Sequence, residues 1–167
     1  MHFAASALAL AATAAVANAA GVTFWTLDDK TRMIYFTPNA GNGYKEIEPI
    51  KVSNAEKTRV EFPDEWIGNA YAVQEGADNV PGMLAEFNFG GWNGQTYFDV
   101  SAIVDPKDHN NVKQMWPAKS QQPMSGCEVF PCDNAYWLPD DVQTKVTSET
   151  ELITTLGSGS TGLNFAK

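Results

Sequence analysis

Eight short segments rich in β-branched and aromatic residues, each closed off within a few positions by Gly, Pro, Asn or Asp, constrain this chain more than any other feature. A helix needs apolar residues every three or four positions over a longer stretch, and breakers at this density leave little room for one. The segments fall at 22–27, 32–37, 47–52, 58–62, 69–74, 84–89, 95–104 and 112–116. Between them lie PNAGNG at 38–43, SNAEK at 53–57, DNVPG at 78–82 and GGWNG at 90–94. Strands at such spacing predict an all-β sandwich or barrel. Asn93-Gly94 is a strong hairpin-turn dipeptide, so segments 84–89 and 95–104 are expected to pair around it. At most one short helix is expected, near the C-terminus, where Ser148 and Glu151 have capping-box spacing before LITTL at 152–156.

Alternation then sorts the side chains of that hairpin. In 95–104, Phe98, Val100, Ala102 and Val104 share one wholly apolar face and are expected in the core. Tyr97, Asp99, Ser101 and Ile103 share the other. In 84–89, Glu86 likewise leaves the face formed by Ala85, Phe87 and Phe89. Pairing would send Glu86 and Asp99 out of the same side of one sheet, with Asp105 following at the strand end. A sheet solvated on one side needs outward polar residues in any case, so a plain acidic face is one reading. A carboxylate-lined cleft is the other. Two carboxylates on facing strands suit glycoside hydrolysis, and they also bind cations or basic partners.

The ends of the chain bound the folded part. Residues 1–19 combine an Ala- and Leu-rich run with Ala17-Asn18-Ala19, a small-x-small cleavage pattern, and are expected to be a secretory signal peptide. The run is too short and too weakly apolar for a good membrane anchor. Residues 20–156 are expected to form a single domain. The Gly/Ser-rich stretch 157–167 is expected to be a flexible tail. The formal net charge is −9, and Lys and Arg form no run, which argues against a nucleic-acid phosphate backbone as partner. The two cysteines, Cys127 and Cys132, are expected to form a disulfide after secretion. A metal site would want more ligands than this neighbourhood offers, so neither metal nor cofactor is expected.

Two motifs carry a family resemblance. MLAEFNFGGWNGQTYFDVSAIVD, at 83–105, resembles the core signature of thaumatin-like proteins, in which an LAEF strand leads to a strand ending DVSLVDGFN. Downstream, CDNAYWLPDD is similar to that family's CPDAYSYPxDD, matching at Cys132, Ala135, Tyr136, Pro139, Asp140 and Asp141. The best resemblance is to small secreted fungal antigenic thaumatin-like proteins, some of which are labelled DNases. It implies a β-sandwich, here reduced to its core, facing an acidic cleft to which Glu86, Asp99 and Asp105 correspond. The family's cleft arginine has no counterpart, because Gly68 stands in its place.

The leading functional expectation is a non-enzymatic, monomeric extracellular protein associated with the fungal cell wall. Its roles would be wall organisation, spore germination or contact with a host or competitor. Its expected partner is a wall polysaccharide or an extracellular protein surface, with no membrane insertion. Trp92, Trp116 and Trp137 are candidates for stacking on sugar rings, although Trp more often packs inside. The alternative is a weak β-1,3-glucanase with Glu86 as acid and Asp99 as nucleophile or base. That chemistry needs carboxyls about 5–5.5 Å apart for retention or about 6.5–9.5 Å for inversion. A nuclease is not expected: outside the signal stretch His109 is the sole histidine, so a paired-histidine site cannot be built.

Overall fold

The structure is a computed structural model that describes residues 19–44 and 46–165; the expected signal segment, apart from its last residue, lies outside them. Eleven strands form: β1 (Gly21–Thr26), β2 (Arg32–Pro38), β3 (Ile50–Val52), β4 (Thr58–Glu61), β5 (Ile67–Gln74), β6 (Leu84–Asn88), β7 (Thr96–Ser101), β8 (Val112–Pro117), β9 (Ser125–Gly126), β10 (Lys145–Thr147) and β11 (Glu151–Leu156). They build a five-stranded sheet in the order β4-β1-β11-β8-β9 and a six-stranded sheet in the order β10-β7-β6-β5-β2-β3. The all-β class and all eight expected strand segments are present.

Alternation explains which faces meet. Val22, Phe24, Met115, Leu152 and Leu156 from the first sheet pack against Ile34, Ala70, Ala85, Phe87, Phe98 and Val100 from the second. At one end Phe62 and Trp66 join Phe87, with ring centroids 4.9 Å apart in each of the three pairs. Aromatic contacts at this spacing stabilise beyond their buried area. Asn93 and Gly94 both take the left-handed backbone (φ 60° and 68°), as their dipeptide predicts for the β6–β7 connection. Val104 departs from expectation. β7 ends at Ser101, so Val104 lies in the following loop and is 54% exposed.

The expected C-terminal helix is a strand. Among the described residues the one helical turn is a 3-10 turn at Trp92–Gly94. Glu151–Leu156 instead pairs parallel with β1 and antiparallel with β8, at the centre of its sheet. Its β-branched residues and the alternate burial of Leu152, Thr154 and Leu156 suit a strand with partners on both sides. Capping-box spacing is local, and pairing with distant strands overrides it. The acid just before this strand caps a turn instead: Glu149 accepts the backbone N–H groups of Lys119 and Ser120.

One buried cation ties the sheets' ends together. Arg32 is fully buried, and its guanidinium donates to both Asp28 oxygens (2.7 and 2.8 Å), to the Lys30 and Asn110 carbonyls and to Asn111 Oδ1. Burial works against a charged Asp28. Arg32 and the N–H groups of Lys30 and Ser158 outweigh it and hold the carboxyl at about 2.

Candidate binding groove on the six-stranded sheet

Register sets the site. Across β5, β6 and β7, Asn69 lies opposite Glu86, and Glu86 lies opposite Asp99. Directly opposed residues on antiparallel strands have Cβ atoms about 4.5–5.5 Å apart, so the two carboxyls must interact. The row faces away from the inter-sheet core, above a groove of about 190 Å³ whose lining includes Asn39, Glu86, Asn88, Tyr97, Asp99 and Thr144. That is smaller than the roughly 300–1,000 Å³ of drug-sized ligand sites, and it suits a single ring or side chain.

The outer face is polar but not open. Tyr136 exchanges backbone hydrogen bonds with β7 and the residue after it, its N–H donating to Val100 and its carbonyl accepting from Ala102. Its hydroxyl bonds Thr144 Oγ1 at 2.8 Å. This crossing segment leaves Asp99 only 8% exposed, whereas Glu86 stays half-buried. Burial, the Glu86 charge and a hydrogen bond shared with Glu86 push the Asp99 carboxyl up to about 8; Thr144 and Lys145 pull the other way. Asp99 Oδ1 meets no hydrogen-bond donor among the described residues. At neutral pH Asp99 therefore keeps its proton and offers a donor, while the remaining carboxyl oxygens of the facing pair offer acceptor lone pairs.

The other expected site residues are scattered. Asp105 lies beyond the end of β7, where its carboxylate accepts the Lys107 N–H at 2.9 Å, and it does not line the groove. Trp92, at the tip of the β6–β7 connection, is 81% exposed, and its carbonyl accepts from Tyr97 Oη at 3.4 Å. It does not line the groove. Trp137 is half-buried, with its indole N–H bonded to the Cys132 carbonyl. Trp116 is fully buried under Phe165, ring centroids 4.9 Å apart, and presents no free face to a sugar. His109 is exposed, with Nε2 3.2 Å from the Pro106 carbonyl. Cys127 and Cys132 are joined in a disulfide.

Gly68 explains the missing arginine. A side chain there would strike the Thr37 carbonyl and the Trp66 ring, so the position admits no long cation. The groove residues that sequence reasoning did not name as a site are Asn39, Asn88, Tyr97 and Thr144. Asn88 and Tyr97 could have been found from alternation once strand order was known. Thr144 belongs to a segment with no strand signal.

Fold and site together define a β-sandwich protein with two facing carboxyls in a small polar groove on an outer sheet face. No family model matches the chain. It is 68% identical over 146 residues to the antigenic protein SchS21 of Stachybotrys chartarum, a match that covers 87% of this chain and 100% of that protein. The chain belongs to the family of that fungal antigenic protein. It shares its fold with the protein elicitor MoHrip2 of Magnaporthe oryzae, whose crystal structure superposes with a TM-score of 0.61 at 15% identity, covering 83% of this chain and 99% of the other. Neither comparison carries the name thaumatin, so the thaumatin-like resemblance is not confirmed, and the assignment is to the fungal antigenic family.

Proposed function

We propose that the protein is a secreted, non-enzymatic fungal surface protein that binds cell-wall polysaccharide through the Glu86–Asp99 groove. The observation that carries this is the pairing of Glu86 directly opposite Asp99 in a polar groove. A neutral carboxyl beside a charged one both donates to and accepts from vicinal sugar hydroxyls, and Asn39, Asn88 and Thr144 add polar contacts along the lining. Tyr97 supplies an aromatic wall. A wall role of the thaumatin-like kind is the finer form of this reading. The names of the similar proteins, an antigenic protein and an elicitor, support an extracellular molecule to which another organism responds. The disulfide fits an oxidising compartment.

Glycoside hydrolysis is the less favoured reading. Asp105, the third acid of the expected cleft, does not line the groove, and Asp99, only 8% exposed and pushed up to about 8, is a poor nucleophile or base. The test is incubation of the protein with insoluble β-1,3-glucan and with chitin, measuring both depletion from solution and sugar released. Depletion from at least one polymer without release is expected, weakened about tenfold in Glu86→Gln and in Tyr97→Ala, the factor one good polar or stacking contact carries. Released sugar that disappears in Glu86→Gln would establish the hydrolase instead. No depletion by either polymer would remove polysaccharide as the partner.

A further inference from the structure

The outer face of the other sheet also carries unpaired polar groups. Gln114 of β8 is buried, and its Oε1 has no hydrogen-bond partner among the described residues. Its Nε2 reaches no better acceptor than Met124 Sδ, at 3.8 Å. Two positions along the strand and so on the same face, Trp116 is fully buried yet lies outside the inter-sheet core, and its Nε1 is unpartnered as well. The core does not cover this face. The C-terminal segment does: it folds back after β11, laying Phe165 on Trp116.

Beside the end of that segment is a half-open cavity of about 1160 Å³, somewhat larger than the roughly 300–1,000 Å³ usual for small-molecule sites. Gln114, Met124, the Cys127–Cys132 disulfide, Leu163 and Phe165 line it. The segment is held by few bonds among the described residues: Gly157 N–H to the Asn111 carbonyl, Ser158 N–H to Asp28, and Ser160 Oγ and Thr161 N–H to Glu128. Gly157 and Gly162 bracket it with left-handed backbones (φ 88° and 70°), conformations that glycine adopts without strain. Of the charged lining residues, Glu128 is already engaged by the segment, and Asp133 and Lys145 reach solvent.

We propose that this cavity is a second binding site, for a small, neutral, largely apolar molecule whose N–H or O–H donates to Gln114 Oε1, roofed by Leu163, Asn164 and Phe165. A buried acceptor without a donor is costly, and such a ligand relieves that cost while the sulfur and aromatic lining takes its apolar body. The roof then exchanges with the ligand: Leu163 and Phe165 move to admit it and close on it afterwards. This site is independent of the Glu86–Asp99 groove and stands or falls apart from it.

The test is fluorescence titration with N-phenyl-1-naphthylamine, a neutral apolar probe with one N–H. The wild type is expected to show one saturable site, with enhanced probe emission and quenched tryptophan emission. Gln114→Leu should bind about tenfold more weakly, the factor a hydrogen bond to a buried acceptor carries. Should that variant not fold, the N-methylated probe on the wild type gives the same comparison and should also bind about tenfold more weakly. Phe165→Ala should weaken binding severalfold. Absence of a saturable site, equal or tighter binding by Gln114→Leu, or equal binding of the N-methylated probe would overturn the proposal. Unchanged binding by Phe165→Ala would remove the roof from it.

Discussion

Asp99 concentrates the physics of the molecule in one side chain. Its place opposite Glu86 was legible, because alternation and the Asn93-Gly94 turn fix the hairpin. Its burial was not, because the cover comes from Tyr136 to Thr144, a stretch without strand periodicity. The consequence is a pH dependence with a definite sign. A carboxyl raised from 3.8 to about 8 favours the protonated folded state. The stability it contributes is fully present below the unfolded value of about 3.8 and is lost as pH rises towards 8. Asp99→Asn keeps a neutral group there at every pH. It should flatten the decline between about pH 4 and 8 and raise stability at pH 8.5 by on the order of a few kcal/mol. Urea midpoints across pH for the two proteins measure this directly, and parallel curves would show that Asp99 does not titrate in that window.

Elements were legible to the extent that each carries its own pattern. β1 to β8 alternate over several residues and end at breakers, so eight segments could be placed within a few positions. β9 and β10 span only two and three residues, too short for a period to register. β11 misled for a different reason: its capping-box spacing is local, whereas its strand character comes from β1 and β8, far away in the chain. If β11 is the central strand of its sheet, Leu152→Ala should cost about 2–5 kcal/mol by chemical denaturation, because Leu152 is fully buried. A cost below about 1 kcal/mol would indicate an edge or helical position. The disulfide loop should matter less. With its cysteines five positions apart, it constrains the unfolded chain by at most about 2–3 kcal/mol. The Cys127→Ala, Cys132→Ala double variant should keep its β-sheet circular dichroism at about 25 °C and melt at a lower temperature.

At the scale of the whole molecule, the two sheets leave two outer faces, and each is partly covered by chain that follows no strand pattern. The segment from Tyr136 to Thr144 lies beside Asp99, and residues 157–165 lie over Gln114 and Trp116. This arrangement was not legible from the sequence, because a Gly/Ser-rich tail carries no periodicity to say where it docks. What was legible was the sandwich and its acidic hairpin. The resemblance to thaumatin-like motifs, which the comparisons do not confirm, rests on that same hairpin, and Gly68, where that resemblance would place an arginine, has no room for a side chain. Sequence motif and site chemistry therefore separate here, and the chemistry of the groove rests on the Glu86–Asp99 pair itself. Carboxyl-carbon NMR titration of the protein, alone and with a soluble β-1,3-glucan oligosaccharide, tests that pair most directly. Asp99 is expected to titrate near 8, with the Glu86 and Asp99 signals both shifting on addition of the sugar. Titration of Asp99 near its ordinary value of about 3.9, with neither signal moved by the sugar, would contradict both the raised Asp99 carboxyl and the groove as a binding site.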